Sequence, residues 1–218
     1  MLETGKKFTK LLQDEDVWQI AHPDDLWVYD KLIVAKKQQL KCGPAGVYIP
    51  ETNNYIIRPI TNVVGMSLGA KIMKLAAGDK TTVPTGHFFV QQLEGPQYSV
   101  TYENCSPLST YEAHRDPTSP LWKFDKWVKV DNMKDFPTKL LGSLKYQYSH
   151  INVEWIGDYI IEVHLRGSPD PDYDELIPVW SSDVQTSKPG YEFIVNYEDG
   201  DGLLPDPRLG FFVRSKKQ

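Results

Sequence analysis

The sequence is short of the features that mark small cross-linked, membrane-spanning or nucleic-acid-coating proteins. Two cysteines, Cys42 and Cys105, occur among 218 residues. They are too few and too far apart for a disulfide framework or a zinc site. No apolar stretch approaches the roughly 18–20 residues that a membrane span needs. Met1 to Lys10 lacks the apolar centre of a signal peptide. A soluble, cytoplasmic protein of a reducing compartment is therefore the expectation. Basic blocks are missing too. Lys6-Lys7, Lys36-Lys37 and Lys216-Lys217 are short pairs in a chain of net charge −5, which excludes an obvious nucleic-acid footprint. Internal repeats and low-complexity segments are also absent.

The composition that remains is that of a folded protein. Hydrophobic residues make up 40% and aromatics 12%, enough for a sizeable core and unlike a disordered chain. The length suits one large domain or two small lobes. Apolar spacing predicts a helix within Leu2–Ile20 and a second from Pro23 or Asp24 to Leu40, with Asp24 and Asp25 near its start and Lys36 and Lys37 near its end. Short strands are expected at Gly46–Pro50, Tyr55–Ile60, on either side of a turn within Val63–Ala70, at Gly86–Leu93, Gln97–Tyr102 and Trp122–Val130. Pro107–Thr118 reads as a polar loop and Phe136–Tyr148 as a helix. Tyr191–Tyr197 is strand-like within a proline-rich tail. Strands and helices alternate without regular βαβ spacing, so the fold class is α+β rather than a doubly wound parallel sheet.

The richest segment is Ile151–Arg166, two apolar runs around Gly157-Asp158, which signal a hairpin. Alternation puts Glu162, His164 and Arg166 on one face of the second strand and Ile161, Val163 and Leu165 toward the core. With a three-residue loop, Gly157-Asp158-Tyr159, Glu154 lies opposite Glu162 and Asn152 opposite His164. A two-residue loop shifts the register by one and separates the carboxylates. Facing carboxylates repel, and a divalent cation between them turns that cost into a binding site. Mg²⁺ favours such a site when substrate phosphates complete it. The competing reading is a wet, salt-bridged face with Arg166 pairing Glu162 or Glu154. A second feature is Arg58-Pro59 followed by Gly65-Met66-Ser67-Leu68-Gly69-Ala70. Small residues let backbone N–H groups approach a phosphate chain, and an arginine supplies a fork of donors.

In order and spacing these pieces resemble an ATP-grasp domain, from Asp30 to Arg166. Asp30-Lys31-Leu32, a helix, a glycine segment and Val47-Tyr48-Ile49-Pro50 resemble the family's opening. Tyr55–Pro59 resembles its apolar strand ending in Lys-Pro, with Arg58 where lysine is usual. Gly65–Ala70 resembles the loop that covers the phosphates. Phe88–Val100 resembles the hinge strand and following turn, with Gln91 or Gln92 and Gln97 where glutamates are usual. Glu162-Val163-His164-Leu165-Arg166 resembles the closing E-x-N-x-R motif, with His164 where asparagine is usual.

The resemblance implies two small lobes of mainly antiparallel sheet around a nucleotide cleft. It divides the chain into an N-terminal helical segment (1–29), an ATP-grasp-like region (30–167, smaller lobe about 45–93) and a C-terminal extension (168–218) packed on the same domain. It implies ATP and one or two Mg²⁺ ions as cofactors. Arg58, Gly65, Met66, Ser67, Gly69, Gln91, Gln92, Leu93 and Gln97 would hold the nucleotide, and Glu154, Glu162 and His164 the metal. Arg58 and Arg166 would be catalytic. The implied reaction joins a carboxylate to an amine, or to a thiol, through an acyl phosphate. The partners are then small-molecule or peptide carboxylate and amine substrates, with a homodimer as a further candidate assembly. A catalytically degenerate nucleotide- or partner-binding protein stands as the alternative.

Overall fold

The computed structural model describes residues 13–61, 68–131, 134–183, 187–200 and 202–215. The chain enters through α1 (Asp14–Ile20) and a 3₁₀ helix (Pro23–Tyr29), and then forms α2 (Lys31–Lys37). The single helix expected from residue 23 to Leu40 is thus broken at Asp30. The Asp30 side chain accepts from the Ile33 N–H at 2.8 Å, so a capping residue starts a new helix there.

Among the described residues, four strands make a small antiparallel sheet: β1 (Cys42–Pro44), β2 (Asn53–Pro59), β3 (Lys71–Leu75) and β4 (His87–Gln91), in the order β1-β4-β2-β3. The expected strand at Gly46–Pro50 is a turn, in which Ile49 exchanges backbone bonds with Gly78 and Asp79. Of the two strands expected around a turn in Val63–Ala70, residues 62–67 lie outside the described ones. Residues 68–70 lead directly into β3.

Among the described residues, eight strands form the second antiparallel sheet. They are β5 (Gln97–Glu103), β6 (Ser106–His114), β7 (Lys126–Lys129), β8 (His150–Ile156), β9 (Tyr159–His164), β10 (Glu175–Trp180), β11 (Glu192–Glu198) and β12 (Arg208–Arg214). Their order is β11-β12-β10-β7-β6-β5-β8-β9. The expected loop at Pro107–Thr118 is largely β6. Its polar composition is overridden because both neighbours, β5 and β7, pair with it and bury Thr110 and Tyr111. The helix expected over Phe136–Tyr148 shrinks to α3 (Thr138–Leu141). Buried Asp25 captures the Lys145 and Tyr146 N–H groups at 2.7 and 3.0 Å and the Tyr148 hydroxyl at 2.9 Å, so those donors never enter a helical ladder. Among the described helices, none is long and apolar enough to cross a membrane.

One face of the large sheet is apolar and carries the main core. Val100 and Tyr102 of β5, Ile151, Val153 and Trp155 of β8, and Val163 of β9 pack with Val28 and Tyr29 of the 3₁₀ helix and Leu141 of α3. Helix α2 lies where the two sheets meet. Its Val34 belongs to that core, while Leu32 and Ala35 pack with Phe88 and Val90 of β4. The alternation of β8 then directs Asn152, Glu154 and Ile156 to the opposite face.

The hairpin turn differs from the expected three-residue loop. Ile156 pairs with Tyr159 and Trp155 with Ile160, so Gly157 and Asp158 alone make the turn. The facing carboxylates survive because β9 contains a bulge. Past it Glu154 pairs with Glu162 and Asn152 with His164, leaving Ile161 unpaired. Ile161 therefore leaves the core side and lines the cleft between the sheets, contrary to simple alternation. Edge strand β9 is covered at the bulge by Gln38, whose amide donates to the Ile160 carbonyl and accepts from its N–H, both at 2.8 Å.

The turn also docks on the link between the sheets. Gly157 N–H donates to the Pro96 carbonyl at 3.0 Å. Gly157 has φ of 56°, and a Cβ there would stand 2.8 Å from the Glu94 carbonyl oxygen. Gly157→Ala is therefore expected to lower unfolding free energy by about 1–3 kcal/mol, the usual cost of a non-glycine residue in the left-handed region, plus the cost of displacing the link. Gly190→Ala, at φ 80° with nothing within 4 Å, isolates the backbone part. Equal urea midpoints for the two variants would show that the Glu94 contact adds nothing.

Candidate functional site

Across the gap between the sheets lies an open cleft. Ile56, Ile72 and Val90 line it from the small sheet, and Ile156 and Ile161 from the large one. The linking segment adds Gln91, Gln92 and Leu93, and β5 adds Gln97. An apolar slot with a few polar groups at its edge is the usual form of a small-molecule site. The Gln91 side chain is committed to the sheet, because its Oε1 accepts from Lys41 N–H at 2.9 Å. Arg115 and Leu121, which the sequence did not single out, also line the cleft.

Beside this slot the polar face of the large sheet gathers its charged residues. Glu162 is the centre. Its Oε1 receives Lys31 Nζ at 3.0 Å and also Arg58 Nη2. Lys31 opens α2 and Arg58 sits on β2, so three elements meet on one carboxylate. Side-chain exposures of 3, 6 and 7% for Glu162, Lys31 and Arg58 place all three out of water. Coulomb attraction is strong there, and so is the cost of losing a partner. Burial raises the proton affinity of Glu162, but Lys31, Arg58 and His164 together outweigh it and hold the carboxyl below its usual range. Burial pulls Lys31 down to about 8, helped by Arg58 and opposed by Glu162.

Glu154 faces Glu162 across the ladder. Burial first, and then the Glu162 charge, push its carboxyl up. Gln97 Nε2 donates to its Oε2 at 3.4 Å. The third member is His164. Its Nε2 lies 3.7 Å from Glu162 Oε2, and its Nδ1 lies 2.9 Å from Asp14 Oδ2. Glu154, Glu162 and His164 each offer a donor atom within 4.8 Å of the others. Two carboxylates and an imidazole are a donor set that fits a divalent cation.

Arg166 pairs with neither Glu154 nor Glu162. It donates from Nη2 to Asp14 Oδ2 at 2.8 Å and from Nη1 to the Gly167 carbonyl at 3.0 Å. Burial works against ionised Asp14, yet His164 and Arg166 keep its carboxyl well below the ordinary range. Asp14 is the residue that sequence reasoning missed, since it lies 150 positions from its partner on a helix with no motif. Lys31 carried a signal, as the lysine of the Asp-Lys opening. Gly65, Met66 and Ser67 lie outside the described residues. Gly69, at φ 72°, approaches Pro59, next to Arg58. Beyond Arg166, Asp172 accepts from the Tyr111 hydroxyl and from Lys129, both at 2.7 Å.

A solved nucleotide complex is similar to this chain in fold. N5-carboxyaminoimidazole synthetase from Staphylococcus aureus, complexed with ADP, matches over 88% of this chain and 68% of its own, with a TM-score of 0.58 and 11% sequence identity. The fold is ATP-grasp-like. A protein described as of the ATP-grasp superfamily, from Archaeoglobus fulgidus, matches over 85% of this chain at 16% identity and TM-score 0.46. L-amino acid ligase from Bacillus licheniformis matches over 70% at 13% identity and TM-score 0.47. This chain spans 64% and 45% of the length of those two proteins. At such identities the likeness is one of fold. No protein-family model and no curated protein sequence matches the chain.

Proposed function

We propose that the chain is an ATP-dependent ligase that joins a carboxylate to an amine through an acyl phosphate. The observation that carries this reading is the convergence of Glu154, Glu162 and His164 within 4.8 Å beside an apolar cleft that Arg58 also lines. In this reading the base lies in the slot between Ile56, Ile72 and Val90 on one side and Ile156 and Ile161 on the other, with Gln92, Leu93 and Gln97 at its polar edge. Arg58 and Lys31, freed from Glu162, meet the phosphates. Glu154, Glu162 and His164 would hold the cation, which would offset phosphate charge. The acid substrate attacks the γ-phosphorus and ADP leaves. The amine then displaces phosphate and gives up a proton. Arg166 steadies the carboxylate, which requires it to share or leave Asp14. Residues 30–167 would do this work, and 168–218 would extend the large sheet.

A second reading, nucleotide binding without ligation, has one observation in its favour: Lys31 and Arg58 already neutralise Glu162 with no cation needed. Calorimetric titration with a non-hydrolysable ATP analogue, with and without Mg²⁺, is the first test. Cation-dependent binding is expected. An absence of binding under both conditions removes both readings. Binding, with no ADP release from ATP across a panel of carboxylates and amines, selects the second.

A further inference from the structure

The third donor of the cation site is a ring nitrogen, and the surrounding residues fix how it is presented. Asp14 Oδ2 sits 2.9 Å from His164 Nδ1. An ionised carboxylate can only accept, so Nδ1 carries a proton and Nε2 is the ring nitrogen turned toward Glu162, the one a cation would take. Asp14 is itself held in place, because Arg166 donates to the same oxygen at 2.8 Å. Asp14 and His164 are both buried, so the arrangement is set by packing rather than by solvent. Carboxylate, imidazole and cation in series is the arrangement that orients a metal-bound histidine and raises its basicity.

The identity of the donors bears on which ion fits. Mg²⁺ is a hard ion that keeps an oxygen shell and sheds water reluctantly. Imidazole is a softer donor that first-row transition-metal ions, Mn²⁺ the weakest of them, accept more readily than Mg²⁺ does. Glu162 Oε2 and His164 Nε2, 3.7 Å apart, need only a small approach to share one ion. Neighbouring donors on an octahedral ion at about 2.1–2.2 Å stand roughly 3 Å apart.

We propose that this site, accepted as the cation site of the reading above, selects a transition-metal ion of the Mn²⁺ class over Mg²⁺, and that Asp14 is the positioning residue that makes it do so. Asp14 has no contact with substrate in this scheme. It acts through the His164 ring, which it holds in one tautomer and one orientation.

The test is a binding measurement. Mn²⁺ bound to the full chain with a non-hydrolysable ATP analogue is followed by electron paramagnetic resonance, and Mg²⁺ is titrated in as competitor. This yields an Mn²⁺/Mg²⁺ affinity ratio that does not depend on how much of a variant is folded. The wild-type ratio should exceed that of the free analogue. His164→Asn should lower it about tenfold, toward the free analogue's value, and Asp14→Asn should lower it by a similar factor, as outer-shell changes usually do. Asp14→Glu, which keeps the acceptor, should recover part of the loss. If His164→Asn does not fold, Asp14→Asn and Asp14→Glu decide the matter. A ratio unchanged in the variants overturns the proposal and leaves the nucleotide site standing. Failure of the wild type to bind the analogue overturns the underlying reading and this inference together.

Discussion

Glu162→Ala is expected to abolish cation-dependent nucleotide binding and also to unfold the protein early. The second effect is the more diagnostic. The Glu162 carboxylate is the shared acceptor for Lys31 and Arg58. Its removal leaves an ammonium and a guanidinium facing each other out of water. Breaking a buried pair in this way costs about 3–5 kcal/mol, a large share of the roughly 5–15 kcal/mol that keeps a domain folded. Glu162→Gln keeps an oxygen for Lys31 and Arg58 but no charge, and should fall between wild type and Ala. Urea midpoints give the stability and calorimetry gives the binding. If Glu162→Ala is as stable as wild type, the three-way ion pair does not exist in solution, and the charge balance derived for the site fails with it.

Arg58→Met should weaken binding of the ATP analogue about 30- to 1,000-fold, the equivalent of about 2–4 kcal/mol for one desolvated, charge-assisted contact. The same variant should bind Mn²⁺ alone more tightly than wild type. The reason is electrostatic. Without phosphate, Glu162 Oε1 is engaged by two cationic side chains, and a metal ion on Oε2 meets their repulsion. A polyphosphate gives Arg58 and Lys31 another anion to bind and so releases Glu162. Removing the Arg58 charge removes its repulsion of the ion, worth several kcal/mol at short range and an effective dielectric constant of about 20, so the ion should bind at least about tenfold more tightly. Opposite movements of the two affinities separate this from simple damage, which lowers both. A parallel loss of both would show that Arg58 only supports the fold.

The parts of this protein that could be read from its sequence are those where local pattern and tertiary role agree. β2, β4, β5 and β8 have apolar alternation that matches their final places, and β9 has it except at Ile161. Glu154, Glu162 and His164 were findable because a single hairpin carries all three, so their proximity needs only a register. Pro107–Thr118 was misread because β6 draws its stability from two neighbouring strands, which a window of sequence does not contain. β10 and β12 were missed for the same reason, hidden in a proline-rich tail. Phe136–Tyr148 has helical spacing, but its donors are claimed by Asp25 from over 100 positions away. The partner of Arg166 and the setting of His164 could not be read from the hairpin. Asp14 diverts Arg166 from the glutamates and orients His164, and nothing in the sequence ties α1 to β9. Lys31 was visible as part of a motif, yet its partner could not be read until α2 was placed against the large sheet.

The unpaired Ile161 has a broader meaning for how such a site can change. In a regular strand one face receives a side chain every second residue, about 7 Å apart. The extra residue lets two successive side chains, one greasy and one acidic, serve the same face within a single step. Removing Ile161 from the chain would leave Gly157-Asp158 as the turn and Glu154 still across from Glu162. The slot would lose part of its wall while the ligand set kept its geometry. Base recognition and ion binding can therefore drift separately here, one by insertion and deletion, the other by substitution.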